Sequence, residues 1–391
     1  MSITNNVLAF ANALKSMGGV VLAIVILLVM VSIHEFGHYI AGKILGFKIN
    51  EFAVGFGPAI FKKRSKKTGE LFALRVIPLG GYCAFDGEDE YDNENAENQE
   101  PFEETAVNSE YPTPKGERFN DQPPWKRIIV LIAGATMNYL LAVCLIIFMF
   151  ACVGRPVYKT VVERPEETVG AVSAVTSVQE NGLQTGDIIV KIDNKNVYLI
   201  TDYLDALDGK SAGDSVDFTV IRGDTEQIVT ITLQTNADFA NMSDTQTLLE
   251  SMGIYGLYTV TIKQGFFQTI GSSFAYSVKI GGTVLRSLGE LLTGKLGIKA
   301  MGGPVTTIKV TSQAAASGLL SFLNIAAFIG VNLAVFNLLP IPALDGCKVV
   351  FCLIEWIRKK PVNRKVETII HLAGIIFLFA FAILVDILQL F

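Results

Sequence analysis

Four stretches of this chain are apolar over enough consecutive residues to cross a lipid bilayer: Gly18 to Ile40, Ile128 to Val153, Leu319 to Leu339 and Ile369 to Phe391. A membrane helix needs roughly 20 such residues, because the hydrocarbon core offers water to no backbone group and a helix satisfies its own. Composition agrees, with 50% hydrophobic and 18% charged residues and a mean hydropathy of +0.43. The expected fold is therefore a polytopic α-helical membrane protein of about four transmembrane helices. The first block resembles a signal peptide in composition, but no small-residue cleavage site follows it, and it runs directly into Ser32-Ile33-His34-Glu35-Phe36-Gly37-His38. It is read as a retained span.

Charge sets the expected topology. Only Lys15 precedes the first span, whereas Lys43, Lys48, Lys62, Lys63, Arg64, Lys66 and Lys67 follow it. The positive-inside bias puts the N-terminus outside. Arg358, Lys359, Lys360, Arg364 and Lys365 place the connection between the last two spans in the cytosol, so the C-terminus is also predicted to be external. The net charge of -5 offers no basic face for phosphates, which argues against nucleic acid as a partner. Cys83, Cys144, Cys152, Cys347 and Cys352 form no CxxC pair and are read as packing residues.

Between the first two spans, residues 41–125 read as a cytosolic region whose first half is apolar, Gly-punctuated and strand-like, followed by an acidic linker from Asp86 to Glu110. After the second span (126–153), short β-rich runs at Ala171 to Val175, Asp187 to Ile192, Ser215 to Ile221 and Glu226 to Leu233, with a helix at Thr201 to Leu207, mark a soluble domain at 165–236. Its Asn181-Gly182-Leu183 and Gly186-Asp187-Ile188 stretch resembles a PDZ domain, which either captures a peptide at a sheet edge or blocks access. An external segment, 237–318, carries an amphipathic helix at Phe266 to Leu292. The third span with its Leu344-Asp345-Gly346 motif (319–346), a cytosolic helix (347–365) and the fourth span (366–391) complete the order.

The chemistry lies in His34-Glu35-x-x-His38, which sets two imidazoles one helical turn apart, the spacing that grips one metal ion. Zinc suits two imidazoles and a carboxylate with a fourth position open to water. Glu35 is placed to take the proton from that water. A chain this long shows the motif by chance on the order of once in a hundred, so context matters. Two of the three histidines stand here, inside an apolar segment where ionisable groups are costly. No third ligand follows the motif closely. Asp345, where prolines break the third apolar run, is one candidate, and it reads equally as a cap for the helix after it.

Taken together, HEFGH, Gly55-Phe56-Gly57-Pro58, Pro78-Leu79-Gly80-Gly81-Tyr82, Gly134-Ala135-Thr136-Met137-Asn138, a PDZ-like insert and Asn337-Leu338-Leu339-Pro340-Ile341-Pro342-Ala343-Leu344-Asp345-Gly346 resemble the site-2 protease family of intramembrane zinc metalloproteases. Within it, the single PDZ-like insert is most similar to the bacterial RseP/RasP-type group. The resemblance implies one Zn2+ per chain on His34, His38 and Asp345, with Glu35 as base. It implies that Asn332 and Asn337 hold the substrate backbone, and that a membrane-associated β-hairpin and loop with Gly55, Phe56, Gly57, Phe72 and Leu74 pairs with the substrate as an added strand. It further implies transmembrane protein substrates (anti-sigma-factor-like proteins or signal-peptide remnants), a prior site-1 protease, a bacterial plasma membrane location with the PDZ-like domain outside, and an active site towards the cytosol.

From the residues alone, Gly134 and Asn138 read as packing the second span against its neighbours, and His371 reads as structural. Two other classes fit parts of the pattern. A metal transporter would string polar residues through several spans, and a non-catalytic scaffold would bind tails through the PDZ-like domain.

Overall fold

The computed structural model describes residues 2–88, 111–162, 182–211, 213–233, 249, 254–298 and 301–389. The acidic linker beyond residue 88 and the expected strand at 171–175 lie outside them. In chain order the elements are α1 (Ser2–Leu45), β1 (Ile49–Arg64), β2 (Leu71–Phe85), a 3-10 turn (Phe119–Asp121), α2 (Pro124–Cys152), β3 (Arg155–Val161), β4 (Ile188–Ile192), β5 (Lys195–Asn196), α3 (Thr201–Leu207), β6 (Ser215–Arg222), β7 (Thr225–Thr232), β8 (Gly256–Ile262), α4 (Phe266–Leu292), α5 (Pro304–Ser317), α6 (Leu319–Asn337), α7 (Asp345–Arg358) and α8 (Arg364–Leu388). The chain divides into two compact units, Met1–Leu145 with Val284–Phe391, and Ile146–Thr283.

The first unit holds helices that satisfy the length and hydropathy of a membrane crossing at Met17–Leu45, Leu319–Asn337 and Arg364–Leu388, together with most of the fourth, Pro124–Cys152. Chain-breaking chemistry sets their ends. Pro124 opens α2 and Pro304 opens α5, where a missing N–H costs nothing. The Asn363 side chain caps α8 by accepting from the Lys365 N–H. Small residues set how closely the helices approach: a Cβ on Gly19 would lie 2.5 Å from Ser312 Oγ, and one on Gly330 would lie 3.0 Å from Ala142 Cβ. Met30, Ala326 and Ile329 fill the space between α1 and α6.

Outward residues of α8, including Ile369, Ile376, Phe377 and Phe379, are exposed, as a lipid-facing helix requires. The same holds for Cys144 and Cys152 on α2, which are exposed; only Cys83, Cys347 and Cys352 are buried packing residues. The sequence reading is corrected there, because a thiol on an apolar helix looks alike whether it meets protein or lipid. Where α2, α7 and α8 converge, buried Arg127 bonds Glu355, and Arg364 lies 3.7 Å from Glu355 and 2.9 Å from Glu367.

β1 and β2 are long and bent, and they make more than a simple hairpin. Glu51 to Val54 of β1 have register partners on both sides, with Phe52 opposite Cys83 on one and Phe72 on the other, while Phe61 to Arg64 pair with Leu74 to Leu71. The segment from Leu71 to Leu74 is therefore interior to the sheet. The segment from Gly81 to Phe85 has register partners on one side only, among the described residues. Positive φ at Gly55 (87°) and Gly80 (109°) lets each strand turn where it does.

The second unit is built on a sheet of order β7-β6-β4-β3-β8, with β5 paired to β4. Inward residues Ile189, Ile192, Val216, Phe218, Val220 and Val229 form its core with Tyr203 and Leu207 of α3. The expected helix at Thr201 to Leu207 and the expected strands at β4, β6 and β7 are present. β3 and β8 extend the sheet beyond residues 165–236, pairing Val157 with Val260. Asp202 accepts from the Tyr198 and Leu199 N–H groups and meets Lys279 of α4 at 2.6 Å. α4 is one helix over the expected residues, with Thr269, Ser273 and Ser277 buried and Phe267, Ile270, Phe274 and Val278 outward.

Candidate active site

HEFGH occupies the last turns of α1, and the 3.6-residue period sends His34 and His38 to one side. Both rings are buried and meet edge to face, with centroids 4.7 Å apart. His38 Nδ1 lies 2.8 Å from the Val130 carbonyl, to which only a protonated nitrogen can donate. That assignment leaves the Nε2 lone pair free and directed at His34 Nε2, 3.2 Å away.

Asp345 comes to the same point from the far end of the chain. Its Oδ2 lies 3.0 Å from His34 Nε2 and 3.4 Å from His38 Nε2. Asp345 is the first residue of α7, and the N-cap residue before it, Leu344, makes no side-chain cap. The loop before it is tightly held: Ala343 takes a positive φ of 82° and donates its N–H to His371 Nδ1 at 3.1 Å. A side chain on Gly346 would come within 2.3 Å of the Leu339 carbonyl, so only glycine allows α7 to start against the end of the third span.

These residues fit a metal ion. Three donor atoms from His34, His38 and Asp345 lie within 4.8 Å of one another. Asp345 Oδ2 is shielded from water and accepts no hydrogen bond, although two imidazole nitrogens are close by. Lone pairs that converge without a proton between them call for a cation, and two imidazoles with one carboxylate are a donor set that zinc takes.

Glu35, His38 and Asp345 line a cavity of about 1330 Å³ whose further wall is the β1–β2 sheet, including Phe56, Gly57, Arg75, Tyr82 and Cys83. Gly81 brings the sheet against the HEFGH turn of α1: a Cβ there would sit 3.4 Å from Glu35 Cγ. In that wall, Arg75 donates to Glu51 at 2.7 Å and to the Gly57 carbonyl at 2.7 Å. The Glu51 hydrogen bond holds the guanidinium charged. Burial pushes the Cys83 thiol up, so it stands neutral and is a poor nucleophile. At the other side Lys348, one turn after Asp345, bonds Glu88 at 2.7 Å. Sequence reasoning missed that pair, since nothing local links residues so far apart.

Phe56 and Gly57 face the cavity, and Gly55 lies beside them, with its Cβ position 2.7 Å from the Ile77 carbonyl. Phe72 instead packs in a cluster with Tyr39 and Phe52, and Leu74 is exposed. Both lie on the interior segment, whose backbone already has partners on each side, so neither can pair with an added strand there. Asn337 Nδ2 lies 3.4 Å from His34 Nδ1, and Asn332 Oδ1 is buried without a hydrogen bond. Asn138 also reaches the site, its Nδ2 3.5 Å from His34 Nδ1, whereas the sequence reading gave it a packing role.

The model of peptidase family M50 matches residues 22–381. The zinc metalloprotease RasP of Bacillus licheniformis is 27% identical over 438 residues, covering 96% of this chain and 100% of that protein. The regulator of sigma-W protease RasP of Bacillus subtilis (strain 168) is 27% identical over 437 residues, covering 95% and 99%. The zinc metalloprotease RasP of Oceanobacillus iheyensis is 27% identical over 430 residues, covering 93% and 97%.

Proposed function

Because the chain belongs to peptidase family M50 and is a zinc-dependent intramembrane metalloprotease, we propose that His34, His38 and Asp345 hold the zinc and that Glu35 is the general base. The observation that carries this reading is the convergence of the three donor atoms within 4.8 Å, beside Glu35 at the end of the cavity. Bound zinc supplies a Lewis acid, which makes water a competent nucleophile near neutral pH. Glu35 takes the proton from the attacking water and returns it to the amine nitrogen released from the cut peptide bond.

A helical substrate hides its carbonyls in its own hydrogen bonds, so it must be unwound and its freed groups satisfied. The one-sided segment from Gly81 to Phe85 supplies a strand edge for that purpose, and Gly81 stands against Glu35. Asn332 and Asn337 hold the remaining backbone groups, which is supported by the Asn332 amide oxygen that lacks a hydrogen bond. Phe56 and Gly57 shape the cavity wall.

The substrates are single-span membrane proteins of the anti-sigma-factor-like kind, or signal-peptide remnants, cut first outside the membrane by another protease. Support comes from likeness to a protein named for regulating sigma-W. The sheet of the second unit is a PDZ-like module that stands outside the membrane and excludes uncut substrates. The order of domains follows the boundaries given above, with the zinc site towards the cytosolic side and both termini external.

A Glu35→Gln variant is expected to retain zinc and to lose cleavage of a tagged single-span substrate in proteoliposomes. Undiminished cleavage would overturn the role of Glu35. Zinc uptake into the vesicles that persists in the variant would favour a transporter.

A further inference from the structure

The motif Gly134-Ala135-Thr136-Met137-Asn138 has no part in the reaction above, yet it faces the proposed zinc site. Three positions of α2, each four residues from the next, meet the two histidines in register. Val130 gives its carbonyl to His38 Nδ1 at 2.8 Å, Gly134 leaves room for both rings, and Asn138 stands 3.5 Å from His34 Nδ1. Asn138 is 1% exposed, and its Oδ1 is buried with no hydrogen-bond partner.

A histidine that offers Nε2 to a metal carries its hydrogen on Nδ1 and must donate it to something. For His38 that acceptor is the Val130 carbonyl. His34 Nδ1 instead faces two amide nitrogens, those of Asn138 and Asn337, and a donor cannot satisfy a donor. Turning the Asn138 amide by half a revolution about Cβ–Cγ changes no shape and exchanges its two atoms. The buried oxygen then meets the Nδ1 hydrogen, and both groups are satisfied at once. Asn337 is only partly buried and remains available to substrate.

We infer that Asn138 is a positioning residue: its amide oxygen accepts the Nδ1 hydrogen of His34 and fixes the tautomer and plane of that ring, with Nε2 turned to the metal. The inference rests on the proposed assignment of His34 as a zinc ligand. Removing such an outer partner typically costs roughly 10 to 100-fold in metal affinity.

The test uses the full chain in detergent micelles, with zinc affinity read by competition with a chromophoric chelator and the site read by the visible spectrum of the cobalt-substituted protein. Asn138→Leu, close in volume but without an acceptor, is expected to bind zinc roughly 10 to 100-fold more weakly and to shift the cobalt spectrum. Asn138→Asp keeps an acceptor oxygen and is expected to restore both. Asn337→Leu is expected to leave both unchanged. Asn138→Ala reads the same loss where the leucine variant does not fold. Wild-type affinity in His34→Ala would remove the ligand assignment and the inference with it. Loss of zinc in His34→Ala together with wild-type affinity in Asn138→Leu would overturn the inference alone. Equal losses in the leucine and aspartate variants would mark a packing role and overturn it too.

Discussion

Replacing Gly134 by alanine adds one methyl group where α2 meets the two imidazoles. That carbon would lie 2.4 Å from His38 Nε2, 2.6 Å from His38 Cε1 and 2.8 Å from His34 Cε1. Ordinary contact is about 3.5 to 4 Å, so the rings or the helix must retreat by about 1 Å. Overpacking of this kind costs about 1 to 3 kcal/mol, and removing a glycine from a helix interior offsets about 0.5 to 1 kcal/mol of it. The net loss of stability is therefore small. The displacement falls on the proposed ligands, however, and misplacing reacting groups by about 1 Å can cost about 100-fold in rate. Gly134→Ala is accordingly expected to unfold within a few degrees of the wild type, to bind zinc more weakly and to lose about 100-fold in kcat/KM on a single-span substrate. Thermal unfolding followed by circular dichroism, chelator competition and a cleavage assay in micelles measure the three. Gly18→Ala, where an added carbon meets nothing within 4 Å, is the control and should keep full activity. A Gly134→Ala enzyme with wild-type zinc affinity and turnover would refute the reasoning, because the rings would then have room that the geometry denies them.

Three further outcomes are expected. Gly81→Val places bulk 2.8 Å from the Ala53 carbonyl and 3.4 Å from Glu35 Cγ, and should lower kcat/KM by about tenfold or more while zinc content stays stoichiometric. Arg127→Met removes the buried hydrogen-bond partner of Glu355 while Arg364 stays 3.7 Å away, and should lower stability by about 1 to 3 kcal/mol in thermal unfolding, part of it recovered in the double variant with Glu355→Leu. His371→Ala removes the acceptor of the Ala343 N–H, should cost about 1 to 3 kcal/mol and should weaken zinc binding through the loosened Asp345 loop, whereas His371→Gln should restore part of both.

The parts of this fold that the sequence disclosed are those with a local signature. Apolar runs of membrane length, the periodic stretch at Phe266 to Leu292 and the β-rich run at Asp187 to Ile192 each declare their element within a few residues. His34, Glu35 and His38 were equally legible, because helical spacing alone sets them together. Asp345 was less so: its position at a helix start fits a cap as well as a ligand, and its approach to both imidazoles is what supports the proposed ligand role. The double pairing of Glu51 to Val54 was hidden, since strand-like residues show that a segment pairs but not how many partners it has. β3 and β8 were hidden for a related reason, each being short and paired with the other across most of the second unit. Asn138 shows the limit most clearly: a lone amide in an apolar helix reads as interhelical packing until the ring opposite it is known.

The edge from Gly81 to Phe85 has a consequence for selectivity under the proposed mechanism. A ladder of main-chain hydrogen bonds is nearly blind to side chains, so an enzyme that docks its substrate this way measures how readily a segment gives up helical structure. Candidate segments would then be ranked by the glycines, prolines and β-branched residues that weaken a helix within the bilayer. No fixed motif around the cut bond is required. One such protease can serve many unrelated membrane proteins, each competing on the ease with which it comes apart.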